Sequence, residues 1–158
     1  MTTASNELRA RLRRWTSLLG VLQLTFGCLI GFIPPTAVEW SRGILMAHVE
    51  FTANGVLMIA FALLVGELQL GTGALWAWFG LLQLGTWANG AAGLVAGFTG
   101  YSSRLMPSVS KLFPPPRGLD HPAVTGLLML CGVTIVAALS LTIVGLVRKE
   151  PAAGGRLG

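Results

Sequence analysis

An imidazole, a carboxyl and an amide fall within seven residues of one apolar stretch, at His48, Glu50 and Asn54 of Ala47-His48-Val49-Glu50-Phe51-Thr52-Ala53-Asn54-Gly55. A charge at the centre of a membrane helix costs at least about 2.5 to 3.5 kcal/mol, so ionisable groups in such a stretch call for a functional account. At about 100° per residue, Glu50 and Asn54 share one helix face and His48 points about 120° to 160° away. One helix therefore presents two polar directions. Two readings of His48 stand: a hydrogen-bonded structural histidine near a helix start, or a neutral imidazole ligand to haem iron. With no second His, Cys or Met beside it, the latter would leave the opposite coordination position open for chemistry. A further amide, Asn89, recurs with Gly85, Gly93 and Gly97 at every fourth position, which puts it on a stripe of small residues that packs against another helix.

The elements that must position these groups follow from composition. The chain has 158 residues, 53% of them apolar and 11% charged, with a mean hydropathy of +0.71. Soluble domains carry roughly 25% charged residues, so this chain needs lipid over part of its surface. A spanning helix needs roughly 20 apolar residues, and four such stretches run over about 15–33, 44–66, 74–98 and 123–147. Pro34-Pro35 stops the first, Trp76 and Trp78 open the third as interfacial anchors, and Arg148-Lys149 closes the fourth. The expectation is a single domain, an all-α integral membrane four-helix bundle, with tails 1–8 and 150–158 flexible. The connection 99–122, with Pro114-Pro115-Pro116, is long enough to act as a lid, a binding loop or a linker. Gly27 and Gly31 form a Gly-xxx-Gly packing pair.

Charge and cysteine content narrow the class. The formal charge of +5 does not mark a nucleic-acid partner, because the basic residues sit at segment ends rather than in a patch. Arg9, Arg11, Arg13, Arg14, Arg148, Lys149 and Arg156 fall on one side of the expected membrane against Arg42, Arg104, Lys111 and Arg117 on the other, which places both termini in the cytoplasm. The run Arg9 to Arg14 before an apolar stretch also has the form of a signal-peptide start, but an uncleaved first helix is the expectation. Cys28 and Cys131 read as buried thiols. His121, beside Asp120 and Pro122, reads as a solvated interfacial residue. No phosphate loop, zinc-protease motif or nucleophile elbow occurs, so nucleotide chemistry is not expected.

Residues 44–147 resemble a known family, the small four-helix membrane hydroxylaminobenzene mutases and the related styrene oxide isomerases. The resemblance rests on Met46-Ala47-His48-Val49-Glu50 with Asn54-Gly55, on Gly85-Thr86-Trp87-Ala88-Asn89, and on Arg104-Leu105-Met106-Pro107. It implies a bacterial inner-membrane isomerase of small aromatic substrates and, by the styrene oxide branch, haem b held between the subunits of a homo-oligomer, a trimer. His48 would be the metal ligand and Asn54 a substrate-positioning amide. Glu50 and Asn89 would be the further catalytic candidates, and Trp87 and Arg104 the further cofactor-binding ones. Glu50 and the Met-Pro segment look more like the mutases. The styrene oxide branch carries a functional tyrosine after the Trp-Ala-Asn segment, whereas this chain has Gly93 near that position and its only tyrosine is Tyr101.

Both activities that the resemblance implies are redox-neutral rearrangements in which ferric haem would act as a Lewis acid. An aryl hydroxylamine would give an ortho-aminophenol; an aryl epoxide would give an aldehyde. Phe51, Trp87 and Leu105 are expected to line a dry pocket open to lipid-borne substrate. The competing reading from another class is a channel, exporter or assembly subunit in which His48, Glu50 and Asn54 line a polar path.

Overall fold

A computed structural model describes residues 3–148 and is all-helical. The elements are α1 (Thr3–Ile30), a 3-10 turn (Pro35–Ala37), α2 (Ser41–Leu64), α3 (Thr72–Thr99), the short α4 (Pro107–Leu112) and α5 (Pro122–Val147). Local chemistry sets the ends. Past Ile30 the amides of Gly31, Phe32 and Ile33 turn to carbonyls three residues back, and Pro34-Pro35 prevents any further helix. Gly100 closes α3 in the left-handed region at φ 71°, its amide bonded to Ala96 O. Prolines open α4 and α5, where their missing N–H is no loss.

The long helices pack in chain order, α1 on α2, α2 on α3 and α3 on α5. Glycines let backbones meet at these seams. A Cβ at Gly27 would lie 2.7 Å from Thr52 N, one at Gly93 2.7 Å from Ala47 N, and one at Gly43 2.3 Å from Gly97 N. At one end of the molecule Leu12, Met58, Phe61, Leu75, Trp78 and Leu82 form the main core, and Trp78 Nε1 donates to Thr142 Oγ1 at 2.9 Å across α3 and α5.

The first helix begins at Thr3, not near residue 15, so the described part of segment 1–8 is helical rather than a loose tail. The cause is packing: Leu12 is fully buried in the core, and Arg9, also buried, donates through Nη2 to Leu70 O at 3.2 Å. The tail 150–158, together with Lys149 and Arg156, lies outside the described residues. Among the described residues two helices, α2 and α5, are long and apolar enough to cross a membrane, where the sequence suggested four. The first helix carries the arginines and Gln23, and the third carries Gln83, Asn89 and many glycines, which lower their apolar character. The outer face of α5 is apolar: Met129, Val133, Val136, Ile143 and Val147 are each at least 60% exposed. A face of that kind is covered by lipid or protein.

The connection 99–122 is folded. Ser102 N donates to Gly118 O at 3.0 Å and His121 N to Ser102 O at 3.1 Å, while Arg117 pairs with Glu39 at 2.9 Å. It packs through Met106 on Trp40, Ala92, Ala96 and Val124, at the start of α2 and the end of α3.

Candidate functional site

The end of α1 and the start of α2 build a seat for His48. The last four carbonyls of any helix lack intrahelical donors, and Gly27 O is one of these in α1. His48 Nδ1 donates to it at 2.8 Å. A carbonyl only accepts, so Nδ1 carries a proton, and in the neutral ring the lone pair is then on Nε2. Gly31 leaves room for the ring, since a Cβ there would lie 3.0 Å from Nδ1. The Gly27/Gly31 pair, read from sequence as helix packing, is thus also the histidine's cradle.

His48 lines a cavity of about 430 Å³ walled by Cys28, Gly31, Phe32, Ile33, Pro35, Val38, Ser41, Ile44 and Leu45. Most of these are apolar, and the volume is that of a small-molecule site. Among the described residues no three His, Cys, Asp or Glu side chains gather, so a metal held here would bring most of its own ligands, as a porphyrin does. His48, half-buried, with Nδ1 held by a backbone carbonyl and an apolar cavity beside it, is the residue that would hold a haem iron if one bound here. Cys28 is exposed on this wall rather than buried, and Cys131 is partly exposed on α5. Both thiols are free, and the burial read for them from apolar surroundings fails because those surroundings are the outer surface of the chain.

Glu50 and Asn54 leave the other side of α2, toward α3, where Asn89 of α3 meets Glu50. Asn89 Nδ2 donates to Glu50 Oε2. Asn54 is buried, and its Nδ2 donates to Thr86 O at 3.3 Å. Thr86 Oγ1 in turn donates to Leu82 O at 2.9 Å and approaches Met58 Sδ at 3.3 Å. These bonds pin α2 to α3 at two successive turns. The stripe of Gly85, Asn89, Gly93 and Gly97 does not face a single helix: Gly85 abuts Thr134 and Ile135 of α5, whereas Asn89, Gly93 and Gly97 meet α2. A four-residue step turns about 40° past a full circle, so the stripe winds from one neighbour to the next.

Trp87 joins an aromatic cluster with Phe51 and Phe26, at centroid distances of 5.6 Å and 6.3 Å, and Phe26 meets Phe51 edge-on at 5.0 Å. It also lines an apolar groove of about 420 Å³ between α3 and α5. Arg104 stands apart on the long connection, exposed and paired with Asp120 at 2.6 Å. Leu105 beside it is 54% exposed, so it does not join Phe51 and Trp87 in one lining. Tyr101 bridges to Gly118 and stacks on His121, 5.4 Å between centroids. His121 is only partly solvated, with Nδ1 enclosed. A side chain at position 93 would run into the backbone of α2, where a Cβ would lie 2.7 Å from Ala47 N.

Sequence reasoning missed three contributors: the Gly27 carbonyl, the Thr86 carbonyl and Gly90, whose missing side chain admits the Phe51 ring. Backbone acceptors leave no trace in residue identity, but a glycine three residues after Trp87 was a readable signal.

Comparison with known proteins bears on this arrangement. Residues 12–147 match the family described as styrene oxide isomerase. A relative described as hydroxylaminobenzene mutase HabB, from Ectopseudomonas oleovorans, is 39% identical over 107 residues, 68% of this chain. The match spans 65% of that relative's length. No solved structure matches the chain. With most of its length matched, including both faces of α2 just described, the chain belongs to the styrene oxide isomerase family.

Proposed function

We propose that this protein is a membrane-embedded isomerase that rearranges a small aromatic hydroxylamine to an ortho-aminophenol, with haem b at His48. The observation that carries the reading is the His48–Gly27 bond, which leaves Nε2 with a lone pair beside an apolar cavity. When bound, ferric haem supplies a Lewis acid for the substrate oxygen. The chain's own residues do the rest. The Gly27 carbonyl fixes the imidazole tautomer and raises its basicity. Phe32, Ile33, Val38 and Ile44 keep water from the cavity and give an aromatic ring apolar contact.

The reaction changes no formula. The N–O bond breaks, the oxygen ends on the ortho carbon, that carbon loses a proton and the nitrogen regains one. Glu50, with Oε2 held by Asn89, has Oε1 to take up the ring proton. Glu50 leaves α2 about 160° from His48, so the two meet on one substrate only if the α3 side of one copy completes the His48 side of another. The reading therefore includes a homo-oligomer, a trimer by family resemblance. It also includes four membrane spans, an inner-membrane location and cytoplasmic termini.

Aryl epoxide isomerisation is the second reading, favoured by the family description. Against it stands the glycine at position 93, whose seam with Ala47 has no room for a phenol. The test is an optical spectrum of the detergent-purified chain, followed by assays with phenylhydroxylamine and with styrene oxide, both without reductant. A Soret band with ortho-aminophenol formation supports the proposal. Phenylacetaldehyde alone would transfer it to the epoxide reading. A colourless protein that converts neither substrate ends both, and leaves the polar-path reading of a channel or exporter.

A further inference from the structure

Near the start of α1, Arg11, Arg14, Trp15 and Leu18 fall within an arc of about 100°. All four are exposed, and with Ala10 they line an open cavity of about 530 Å³. The Arg11 guanidinium lies 5.2 Å from the ring centroid of Trp76, at the start of α3. Residues three apart on a helix have Cβ atoms about 5 to 6 Å from one another, so the two guanidinium groups can grip one anion from both sides. Just past them the outer face of α1 turns apolar, with Leu18 54%, Leu22 52% and Leu29 59% exposed. Charge, then indole, then aliphatic surface is the order of layers met on entering a bilayer.

We propose that this cavity seats the phosphate of an anionic phospholipid, with its acyl chain along Leu18 and Leu22. Paired guanidinium groups match phosphate oxygens bidentately. The indoles of Trp15 and Trp76 sit at headgroup level, where an apolar ring with one polar N–H is placed best. Arg9 takes no part, being turned inward to Leu70 O. Arg13 is exposed too, but it projects about 160° from Arg11, which makes it an internal control. The proposal rests on the membrane reading and on nothing about the reaction.

The full chain, purified in neutral detergent, is titrated with short-chain phosphatidylglycerol, with phosphatidylcholine of the same chain length and with inorganic phosphate. Thermal midpoint and tryptophan fluorescence are read. Phosphatidylglycerol should raise the midpoint and change the fluorescence, phosphatidylcholine should do so at least tenfold more weakly, and inorganic phosphate should do neither. In R11Q/R14Q the preference for phosphatidylglycerol should vanish, and in R13Q it should persist. Equal responses to the two lipids, an equal response to inorganic phosphate, or equal loss in R13Q would each overturn the proposal. If the double variant does not fold, R14Q alone carries the same comparison. Recovery of the chain from cells in the aqueous fraction without detergent would instead remove the membrane reading itself.

Discussion

The ring of Phe51 occupies the space a side chain at position 90 would need: a Cβ built on Gly90 would lie 2.5 Å from its Cδ2 and Cε2. Phe51 is in turn fully enclosed and edge-on to Phe26 and Trp87. That one insertion ties α1, α2 and α3 together between the His48 face and the Glu50 face.

Small-to-large changes at these seams should be costly. Gly93→Ala forces its methyl against the α2 backbone at Ala47, which has no rotamer to yield, and should destabilise by about 1 to 3 kcal/mol. Gly90→Ala meets a ring that can tilt, so its cost should be smaller. Gly80→Ala meets nothing within 4 Å and should be neutral or stabilising by about 0.4 to 1 kcal/mol. Thermal midpoints in detergent check the order; a Gly93→Ala protein as stable as the parent would show that the seam is looser than described.

His48→Gln keeps an amide able to donate to Gly27 O but offers no imidazole nitrogen. The expected outcome is an intact fold, no Soret band and loss of isomerase activity. Gly31→Ala, which presses on Nδ1 from 3.0 Å, should shift the band without abolishing it. Absorption spectra of the two variants beside the parent settle the matter, and an unchanged band in His48→Gln would remove the histidine from haem binding.

Glu50→Gln preserves an acceptor for Asn89 and should leave folding and haem content unchanged while lowering turnover by at least tenfold if its carboxylate takes the ring proton. A collapse in expression would mean instead that the charge is structural.

Asn54 is a buried clamp on the Thr86 carbonyl. Asn54→Ala should therefore cost about 0.5 to 1.5 kcal/mol in stability, from the lost bond alone, because Thr86 O keeps its donor within α3. Comparing kcat with KM separates this from substrate positioning: a pure clamp lowers active protein with KM unchanged, whereas a positioning amide moves the kinetic constants of the folded fraction.

The sequence by itself determined an all-helical chain of long apolar runs, with His48 turned away from Glu50 and Asn54 on one helix. Those conclusions follow from local quantities: apolar run length, proline and glycine punctuation, and the 100° step that turns His48 away from Glu50. Even the long reach of α1 had a local sign, since Leu8 and Leu12 continue its periodicity, but four arginines masked it. Only the tertiary structure decided what each polar group meets. His48 finds a helix-terminal carbonyl, Asn54 a mid-helix one, and Arg104 an aspartate far from either. The physical reason is that backbone acceptors and close helix seams belong to pairs of elements, and no residue type in a single element encodes its neighbour.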